Sequence, residues 1–255
     1  MLKRFCIAAA LFLVVANGCG RENAPVDVNI VSDEIVEAES GIPPDFRKDP
    51  PPEIRKISNS SRLVSIHDVD STILVDLKYA STDNFTGTVL YNGFDGAYLQ
   101  KDVAVMLAEA HRQLKTLNPD LRLLVYDAVR PLSVQRTMWD HVKDTKYHRY
   151  VASPDRLGLH NFGAAVDITL ADVRGQPLDM GTPFDHFGRA AGINDEAGLV
   201  KQGLLNQTQV RNRQLLRQVM RAAGFQSISG EWWHFNACSL TEAKRRYAVV
   251  DFISN

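Results

Sequence analysis

Regular patterns of apolar residues begin at about Arg62 and continue almost to the C-terminus. Short apolar runs between turn residues predict strands, and apolar residues that recur every three or four positions predict helices. The predicted strands are Leu63–Ile66, Ile73–Leu77, Leu123–Tyr126, Ala164–Leu170 and Trp232–Ala237. The predicted helices carry the apolar stripes Val103–Leu117, Val134–Val142 and Val210–Ala223.

Residues with strong local preferences mark the ends of these helices. The first helix ends at Asn118, because the residue before a proline is disfavoured in helical conformation. Pro131 suits the first turn of the second helix. Asn206 can cap the third helix, and Gly224 is a typical C-terminal stop. Strands separated irregularly by helices predict a single α+β domain with a small, mainly antiparallel sheet flanked by helices.

Composition and charge narrow the class of partner. The 255 residues are 45% hydrophobic and 23% charged, with a formal net charge of −1, which is ordinary for a globular protein. Near-neutral charge gives no electrostatic footprint for nucleic acid. One arginine cluster has helical spacing beside an apolar stripe, and we interpret it as a solvated helix face and not as a nucleic-acid groove. It consists of Arg211, Arg213, Arg217 and Arg221.

Residues 1–19 are typical of an export signal. Lys3 and Arg4 precede an apolar segment, Phe5–Val15, which is too short to span a bilayer as a stable helix. The next four residues, Ala16–Cys19, resemble the lipobox of bacterial lipoproteins, whose cysteine is lipidated. Plain secretion and an uncleaved anchor are the alternatives. Because a residue other than aspartate follows the cysteine, the resemblance favours anchoring at the outer membrane, facing the periplasm.

A tether separates this signal from the predicted domain. Residues 20–60 are rich in proline and acidic residues and bury too little apolar surface to offset the entropy of ordering. Proline makes such a segment extended and semi-rigid. We therefore expect a lipid anchor as the only membrane contact, followed by a soluble domain over residues 61–255.

His160 and Asp167 are seven residues apart, with glycines on both sides of the histidine. In a strand, Val166 and Ile168 would face the core, and Asp167 would share the opposite face with Thr169. An ionised carboxylate among apolar neighbours is unfavourable unless it is paired or binds a metal. These two residues alone fit a hydrogen-bonded structural pair as well as two metal ligands.

A second cluster, Glu231-Trp232-Trp233-His234, follows Gly230. Strand alternation would turn Glu231 away from His234, but Gly230 permits a bend that places Glu231 at the start of the strand. The paired tryptophans would form a wall that excludes water and so strengthens the electrostatic interactions between charged groups in a site. Two imidazoles and one carboxylate can hold zinc with an open position, and a free glutamate beside them can act as a base. The alternative is an aromatic core patch with an incidental histidine.

Arg130 comes directly after a buried strand and before Pro131. A guanidinium in such a turn can point into a cleft and stabilise an oxyanion. The alternative is a surface ion pair between Asp127 and Arg130.

The chain lacks the His-Glu-x-x-His, Gly-x-Ser-x-Gly and phosphate-loop motifs, which argues against thermolysin-like, serine-hydrolase and nucleotide-dependent chemistry.

Four motifs occur in order along the chain: Lys78–Gly87, Tyr126–Pro131, His160–Asp167 and Glu231–His234. Together they closely resemble the VanX-type D-alanyl-D-alanine dipeptidases, zinc enzymes related to the VanY-type D,D-carboxypeptidases. The resemblance runs from about Leu63 to Phe252, nearly the whole predicted domain. Gly158 stands where the family usually has serine, which removes a hydroxyl near the substrate and leaves the metal ligands intact.

The resemblance implies a metal site and two catalytic residues. His160, Asp167 and His234 look like the ligands of one zinc ion per chain. Glu231 looks like the general base that later serves as the acid for the leaving amine. Arg130 matches the arginine that stabilises the transition state. The resemblance thus places the zinc site at the face of the sheet.

The resemblance also implies substrate contacts and a function. Asp185 would hold the free amino group of a small D,D-dipeptide, Tyr79 would lie near the pocket, and Tyr91 would meet the substrate carboxylate. The expected reaction is zinc-dependent hydrolysis of D-Ala-D-Ala from cell-wall precursors or turnover. One alternative is a D,D-carboxypeptidase or endopeptidase that acts on peptidoglycan stem peptides. Another is a silent zinc module that binds peptidoglycan, although such a module would need neither Glu231 nor Arg130.

Overall fold

The computed structural model describes residues 63–94 and 96–251. The predicted export signal and tether lie outside these residues and stay predictions. The β-strands are β1 (Leu63–Ser65), β2 (Leu74–Val75), β3 (Tyr98–Gln100), β4 (Leu121–Asp127), β5 (Ala165–Asp172), β6 (Gln226–Ser227) and β7 (His234–Asn236). The α-helices are α1 (Ile66–Val69), α2 (Lys101–Leu117), α3 (Leu132–Val142), α4 (Glu196–Lys201), α5 (Gln207–Ala222) and α6 (Leu240–Arg246).

Five strands form one mixed sheet in the order β2-β4-β5-β7-β6. β2 runs parallel to β4, whereas the other neighbours in this sheet are antiparallel. β1 and β3 form a separate antiparallel pair. The predicted α+β class and mainly antiparallel sheet are therefore confirmed. None of the helices within the described residues is long and apolar enough to cross a membrane.

The central strand β5 separates the core from the site. Val166, Ile168 and Leu170 are buried in the main hydrophobic cluster, beneath α2 and α5. Fully burying one such aliphatic side chain stabilises the fold by about 1.5–3 kcal/mol. Asp167 and Thr169 lie on the opposite face, as strand alternation predicts. The strand thus holds Asp167 on a rigid, well-packed element.

The helix boundaries follow the predicted signals. Asn118 is the C-cap of α2, and Pro131 directly precedes α3. At α5 the side chain of Asn206 accepts a hydrogen bond from the Gln209 amide at 3.0 Å, while Gln209 Oε1 accepts one from the Asn206 amide at 2.7 Å. Gly224 after α5 has a φ of 99°, which favours glycine.

Several expectations were wrong. Ile66 begins α1 instead of ending β1, and the predicted strand Trp232–Ala237 is confined to His234–Asn236. The predicted strand Ile73–Leu77 is shorter in the structure, where only Leu74 and Val75 are in register with β4 and the Asp76 amide adds one hydrogen bond to the Val125 carbonyl oxygen.

The expected solvated face of α5 holds for the exposed Arg211 and Arg221 but is wrong for the other two arginines, because the Arg213 side chain is 0% exposed and that of Arg217 is 11% exposed. Their burial depends on groups from α4 and from a loop remote in sequence, which helical spacing does not reveal.

Candidate active site

Strand pairing and one tight turn bring the three predicted metal ligands together. In the register of β5 with β7, Asp167 is directly opposite His234. His160 lies in a 3₁₀ turn, Leu159–Phe162, immediately before β5. Gly163 ends that turn with a φ of 64°, and a Cβ there would lie 2.8 Å from the Leu63 side chain. The left-handed backbone and the close side chain therefore favour glycine where the chain folds His160 back over the sheet.

The ligand atoms of these residues converge. His234 Nδ1 is 2.9 Å from Asp167 Oδ1 and 3.2 Å from His160 Nε2. His160 Nε2 is 3.3 Å from Asp167 Oδ1. Tetrahedral ligands at the usual zinc distances of about 2.0–2.1 Å are separated by about 3.3 Å. The spacing therefore fits one small tetrahedral ion held by two nitrogens and one oxygen.

Outer hydrogen bonds set the tautomers of both histidines. His160 Nδ1 is 2.7 Å from the Ala128 carbonyl oxygen, and His234 Nε2 is 2.7 Å from Asn236 Oδ1. Because both oxygens are acceptors, these nitrogens carry the protons, and the inward nitrogens keep lone pairs. Such outer partners orient metal-binding histidines in proteins. The inward nitrogens can therefore offer lone pairs to a metal ion, and without an ion a proton on His234 Nδ1 can instead pair it with Asp167.

The electrostatics of the cluster also favour positive charge. Burial opposes a charged imidazole at His234, but the hydrogen bond and charge of Asp167 outweigh it and raise its pKa to about 9. Burial likewise opposes the Asp167 carboxylate, yet the imidazoles of His160 and His234 hold its pKa well below the usual range. A divalent ion would supply this positive charge. Zinc fits the donor set, as would cobalt or nickel.

Glu231 lies just before β7, and its carboxylate lines the same cavity as the cluster. It makes no hydrogen bond or ion pair with another residue of the described chain. Burial and the charge of Asp167 raise its pKa to about 7, although His234 opposes the shift. Gly230 is not in the left-handed region and a Cβ would meet nothing there, so the bend does not depend on glycine. Glu231 is free to accept a proton in the cavity.

Arg130 is held by a buried network. Its Nε and Nη2 donate to Asp127 Oδ2 at 2.9 and 2.6 Å, and its Nη1 donates to Gln135 Oε1 at 3.1 Å. The Tyr91 hydroxyl donates to the other Asp127 oxygen at 2.5 Å. The pair is therefore buried and is not the surface pair considered as an alternative. Although burial opposes the charge of Arg130, Asp127 holds its pKa above the ordinary value, so the guanidinium stays cationic.

Tyr91 does not have the position that the resemblance implied. The side chain is 1% exposed and is absent from the lining of the cavity. Its hydroxyl is engaged by Asp127 and lies 3.4 Å from the Val129 carbonyl oxygen. Its position therefore does not support a direct contact with a substrate carboxylate. Tyr91 instead fixes the carboxylate that orients Arg130.

Asp185 and Tyr79 form a second polar group in the cavity. The Tyr79 hydroxyl donates to both Asp185 oxygens at 3.1 Å. Burial and the charge of Asp167 raise the pKa of Asp185 well above its usual range. The charge of Arg130 opposes this shift, but no cation among residues 63–94 and 96–251 forms an ion pair with Asp185, and a ligand ammonium would restore its charged form.

The loop that presents Asp185 is anchored on both sides. Asp185 itself has a φ of 57°, a conformation that few residues other than glycine adopt without cost. Phe184 packs edge-on against Trp233, and Phe187 stacks on Tyr150 with ring centroids 4.9 Å apart. These contacts hold the loop over the cavity and support the strained residue.

Arg213 joins the two ends of this loop to α5. Its guanidinium donates to the carbonyl oxygens of Met180 at 2.6 Å, Ala190 at 3.0 Å and Gly192 at 3.4 Å. Two of these carbonyls come after Asp185 and one comes before it. Arg213 is therefore positioned to keep the loop closed, although it lies outside the lining of the cavity.

Replacing Arg213 by methionine is expected to lower the free energy of unfolding by at least about 1–3 kcal/mol, the cost of one buried polar group left without its partner. Chemical denaturation measures this change. Arg211→Met is the matched control, because Arg211 lies on the same helix and is exposed. Equal stability of the two variants would contradict the assigned role.

The cavity has a volume of about 380 Å³, and most of the predicted site residues line it. Only one of the two tryptophans, Trp233, lines it; Trp232 donates to Thr182 Oγ1 at 2.8 Å instead, so the expected paired wall is wrong. Gly158 also lines the cavity. The predicted residues in the lining are Tyr79, Arg130, His160, Asp167, Asp185, Glu231 and His234.

Sequence reasoning missed several residues of the site. Gln135 and Arg149 line the cavity, and Ala128 and Asn236 set the histidine tautomers. Asn236 had one usable signal, because strand alternation places it on the same face as His234. The others have no local signal, since a carbonyl contact or an arginine in a loop is defined only by the fold.

Comparisons with known proteins agree on one family. The model of the peptidase M15 family, described as D-ala-D-ala dipeptidase, matches residues 59–253. The chain is 33% identical over 180 residues to the D-alanyl-D-alanine dipeptidase of Escherichia coli, which covers 70% of this chain and 86% of that relative. It is 30% identical over 179 residues to the D-alanyl-D-alanine dipeptidase of Enterococcus faecalis, covering 63% and 83% respectively.

A solved structure is also similar in part. It is the vancomycin resistance D,D-dipeptidase VanXYg in complex with a D-Ala-D-Ala phosphinate analog. The identity is 19%, the match covers 72% of this chain and 69% of that one, and the TM-score is 0.31.

Proposed function

Because the chain belongs to the peptidase M15 family, the D-ala-D-ala dipeptidases, we propose that it hydrolyses the free dipeptide D-Ala-D-Ala with one zinc ion per chain. The observation that carries this proposal is the convergence of His160, Asp167 and His234 on the wall of a cavity. The same cavity holds a free carboxylate, Glu231, and a buried carboxylate suited to an ammonium group, Asp185.

The metal site follows from the donor set. His160 Nε2, His234 Nδ1 and one Asp167 oxygen would bind the ion, and their outer hydrogen bonds keep these atoms aimed inward. Zinc held there would supply a Lewis acid that polarises the peptide carbonyl and makes water a better nucleophile at neutral pH. The remaining steps belong to side chains of the chain itself.

Glu231 and Arg130 would carry the proton transfer and the charge. The Glu231 carboxylate accepts the proton of the attacking water and then donates it to the leaving amine. Arg130, fixed by Asp127 and Gln135, donates hydrogen bonds to the oxygen on which negative charge develops. Because these donors are already positioned, no reorganisation is needed when the charge appears.

Asp185 would select a free amino terminus. The substrate ammonium pairs with the Asp185 carboxylate, whose orientation is fixed by Tyr79. A peptide with a blocked or extended amino end brings no ammonium, so the buried carboxylate would lose its partner. This difference favours the free dipeptide over a peptidoglycan stem peptide.

Replacing Asp185 by asparagine is expected to raise KM for D-Ala-D-Ala by about 10- to 100-fold, the value of one charge-assisted hydrogen bond. The loss should be much smaller for N-acetyl-D-Ala-D-Ala, because that substrate has no ammonium. The measurement is kcat/KM for both substrates, with Asp155→Asn, an exposed residue in another loop, as the control.

The wild-type enzyme decides between the two enzyme classes in the same assay. Cleavage of the free dipeptide well above the N-acetylated dipeptide and a stem pentapeptide supports the proposal. Preferential cleavage of the pentapeptide would instead favour a wall-trimming carboxypeptidase. An unchanged ratio of free to acetylated substrate in Asp185→Asn would refute the role of Asp185.

We also propose that the enzyme acts in the periplasm. The support is the segment at residues 1–19, with its basic start and the lipobox-like Ala16–Cys19, followed by the proline-rich residues 20–60. D-Ala-D-Ala from cell-wall precursors or turnover would then be its substrate, with no nucleic-acid partner and with the lipid anchor as its membrane contact.

A further inference from the structure

The proposed substrate is a zwitterion, and Asp185 accounts only for the positive charge of its amino end. Asp185 pairs with the ammonium, but the C-terminal carboxylate also loses water when the dipeptide enters the cavity. A carboxylate in such a place needs a cation or several donors. Tyr91, which the resemblance implied for this role, is buried outside the lining. The identity of the carboxylate's partner is therefore open.

Two arginines line the cavity, and Arg130 is already committed. Three of its N–H groups are within 3.1 Å of Asp127 or Gln135, and its Nη2 is also 3.5 Å from Asp167. Its charge is balanced by these two carboxylates. Of its five N–H groups, those not bound to Asp127 or Gln135 are assigned to the oxygen on which negative charge develops, so they do not also serve the C-terminal carboxylate of the substrate.

Arg149 is the second arginine, and it has no acidic partner in the part of the chain that the structure describes. Its Nη2 lies 3.3 Å from the hydroxyl of the adjacent Tyr150, and its Cζ lies 5.0 Å from the centre of that ring. No carboxylate oxygen of the described residues lies within ion-pair distance of it. Its five N–H donors are therefore largely free to bind a carboxylate, which arginine does through two parallel hydrogen bonds.

The backbone beneath Arg149 is well fixed. Arg149 lies in the 3₁₀ turn His148–Tyr150, directly before the buried Val151. Tyr150 stacks on Phe187, and the Ala152 carbonyl oxygen accepts a hydrogen bond from Gln135 Nε2 at 2.7 Å. Gln135 also binds Arg130, so the turn is connected to the catalytic network. Arg149 itself is exposed, so the turn fixes the position of its backbone while the side chain lines the cavity and is accessible to a ligand there.

We propose that Arg149 binds the C-terminal carboxylate of the dipeptide. This inference rests on the proposed function. Together, Asp185 and Arg149 would recognise the two ends of the substrate, so that a peptide must have both termini free and only one bond between them. Asp185 excludes longer stem peptides, and Arg149 excludes peptides whose C-terminus is amidated or extended.

The test compares D-Ala-D-Ala with its C-terminal amide in wild type, Arg149→Ala and Arg149→Lys. Arg149→Ala should lower kcat/KM for the free acid by about 10- to 100-fold, mainly through KM, because a charge-assisted hydrogen bond is lost. The amide has no negative charge, so its already low kcat/KM should change little. Arg149→Lys should keep part of the preference. Arg156→Ala is the control, because it makes the same change at an exposed arginine outside the cavity.

A merely structural role would lower the activity on both substrates alike, and that result would overturn the proposal. Wild-type kinetics of Arg149→Ala on the free acid would overturn it too, while leaving the proposed function standing. If the wild-type enzyme cleaves neither compound, the proposed function fails, and the assignment of Arg149 fails with it.

Discussion

Replacing Glu231 by glutamine is expected to lower kcat for D-Ala-D-Ala by about 10²- to 10⁴-fold without loss of the metal. The side chain lines the cavity beside the metal cluster but belongs neither to that cluster nor to any hydrogen bond of the described residues. Glutamine keeps the size and polarity of the side chain and removes only its ability to accept and return a proton. The metal ligands should therefore remain in place while proton transfer is lost.

The control for this prediction is Glu242→Gln, which makes the same chemical change on α6, away from the cavity. Metal content is measured on both variants beside kcat. If Glu231→Gln keeps near-wild-type turnover, the base has been assigned to the wrong residue. Loss of zinc from Glu231→Gln alone would show that this carboxylate holds the ion instead.

Replacing Arg130 by lysine is expected to lower kcat by about 10²- to 10³-fold, the usual effect of removing one oxyanion donor. Lysine keeps a positive charge near the buried Asp127, so the fold should survive. It cannot reproduce the planar fork that contacts both Asp127 and Gln135, and its ammonium would not reach the same position. The loss should appear in kcat more than in KM, because the developing charge exists only in the transition state.

Arg136→Lys, an exposed position on α3, is the matched control for this change. Arg130→Ala gives a second measurement with a different expectation. It leaves Asp127 buried without its cation, so the free energy of unfolding should fall by about 3–5 kcal/mol. Wild-type kcat in Arg130→Lys would contradict the assigned role in the transition state.

The positions of the three proposed metal ligands were largely predictable, because they depend on local rules. Strand alternation put Asp167 on the face opposite Val166 and Ile168, and the structure has it there. The turn at His160 was also foreseeable from its flanking glycines, of which Gly163 alone adopts a left-handed conformation. Strand alternation does not predict the register of β5 with β7, and it is this register that brings His234 opposite Asp167.

The polar network behind the site was not predictable, because its partners are distant in sequence. Arg213 has helical spacing with exposed arginines, yet it is buried by three carbonyls from the Asp185 loop. Tyr91 looked suited to a substrate carboxylate, but it is 36 residues from Asp127 in sequence and binds it in the fold. Pairings of this kind depend on tertiary packing, which residue propensities and periodicity in the sequence do not predict.

The most direct test of the central claim is a zinc titration of the purified, metal-free full chain, with release of amine from D-Ala-D-Ala as the readout. We expect no turnover without metal and a linear recovery that stops at one equivalent of zinc per chain. The variant His160→Ala should fail to recover under the same conditions. Cleavage by the metal-free protein would contradict the account, as would binding of one zinc with no turnover of the dipeptide.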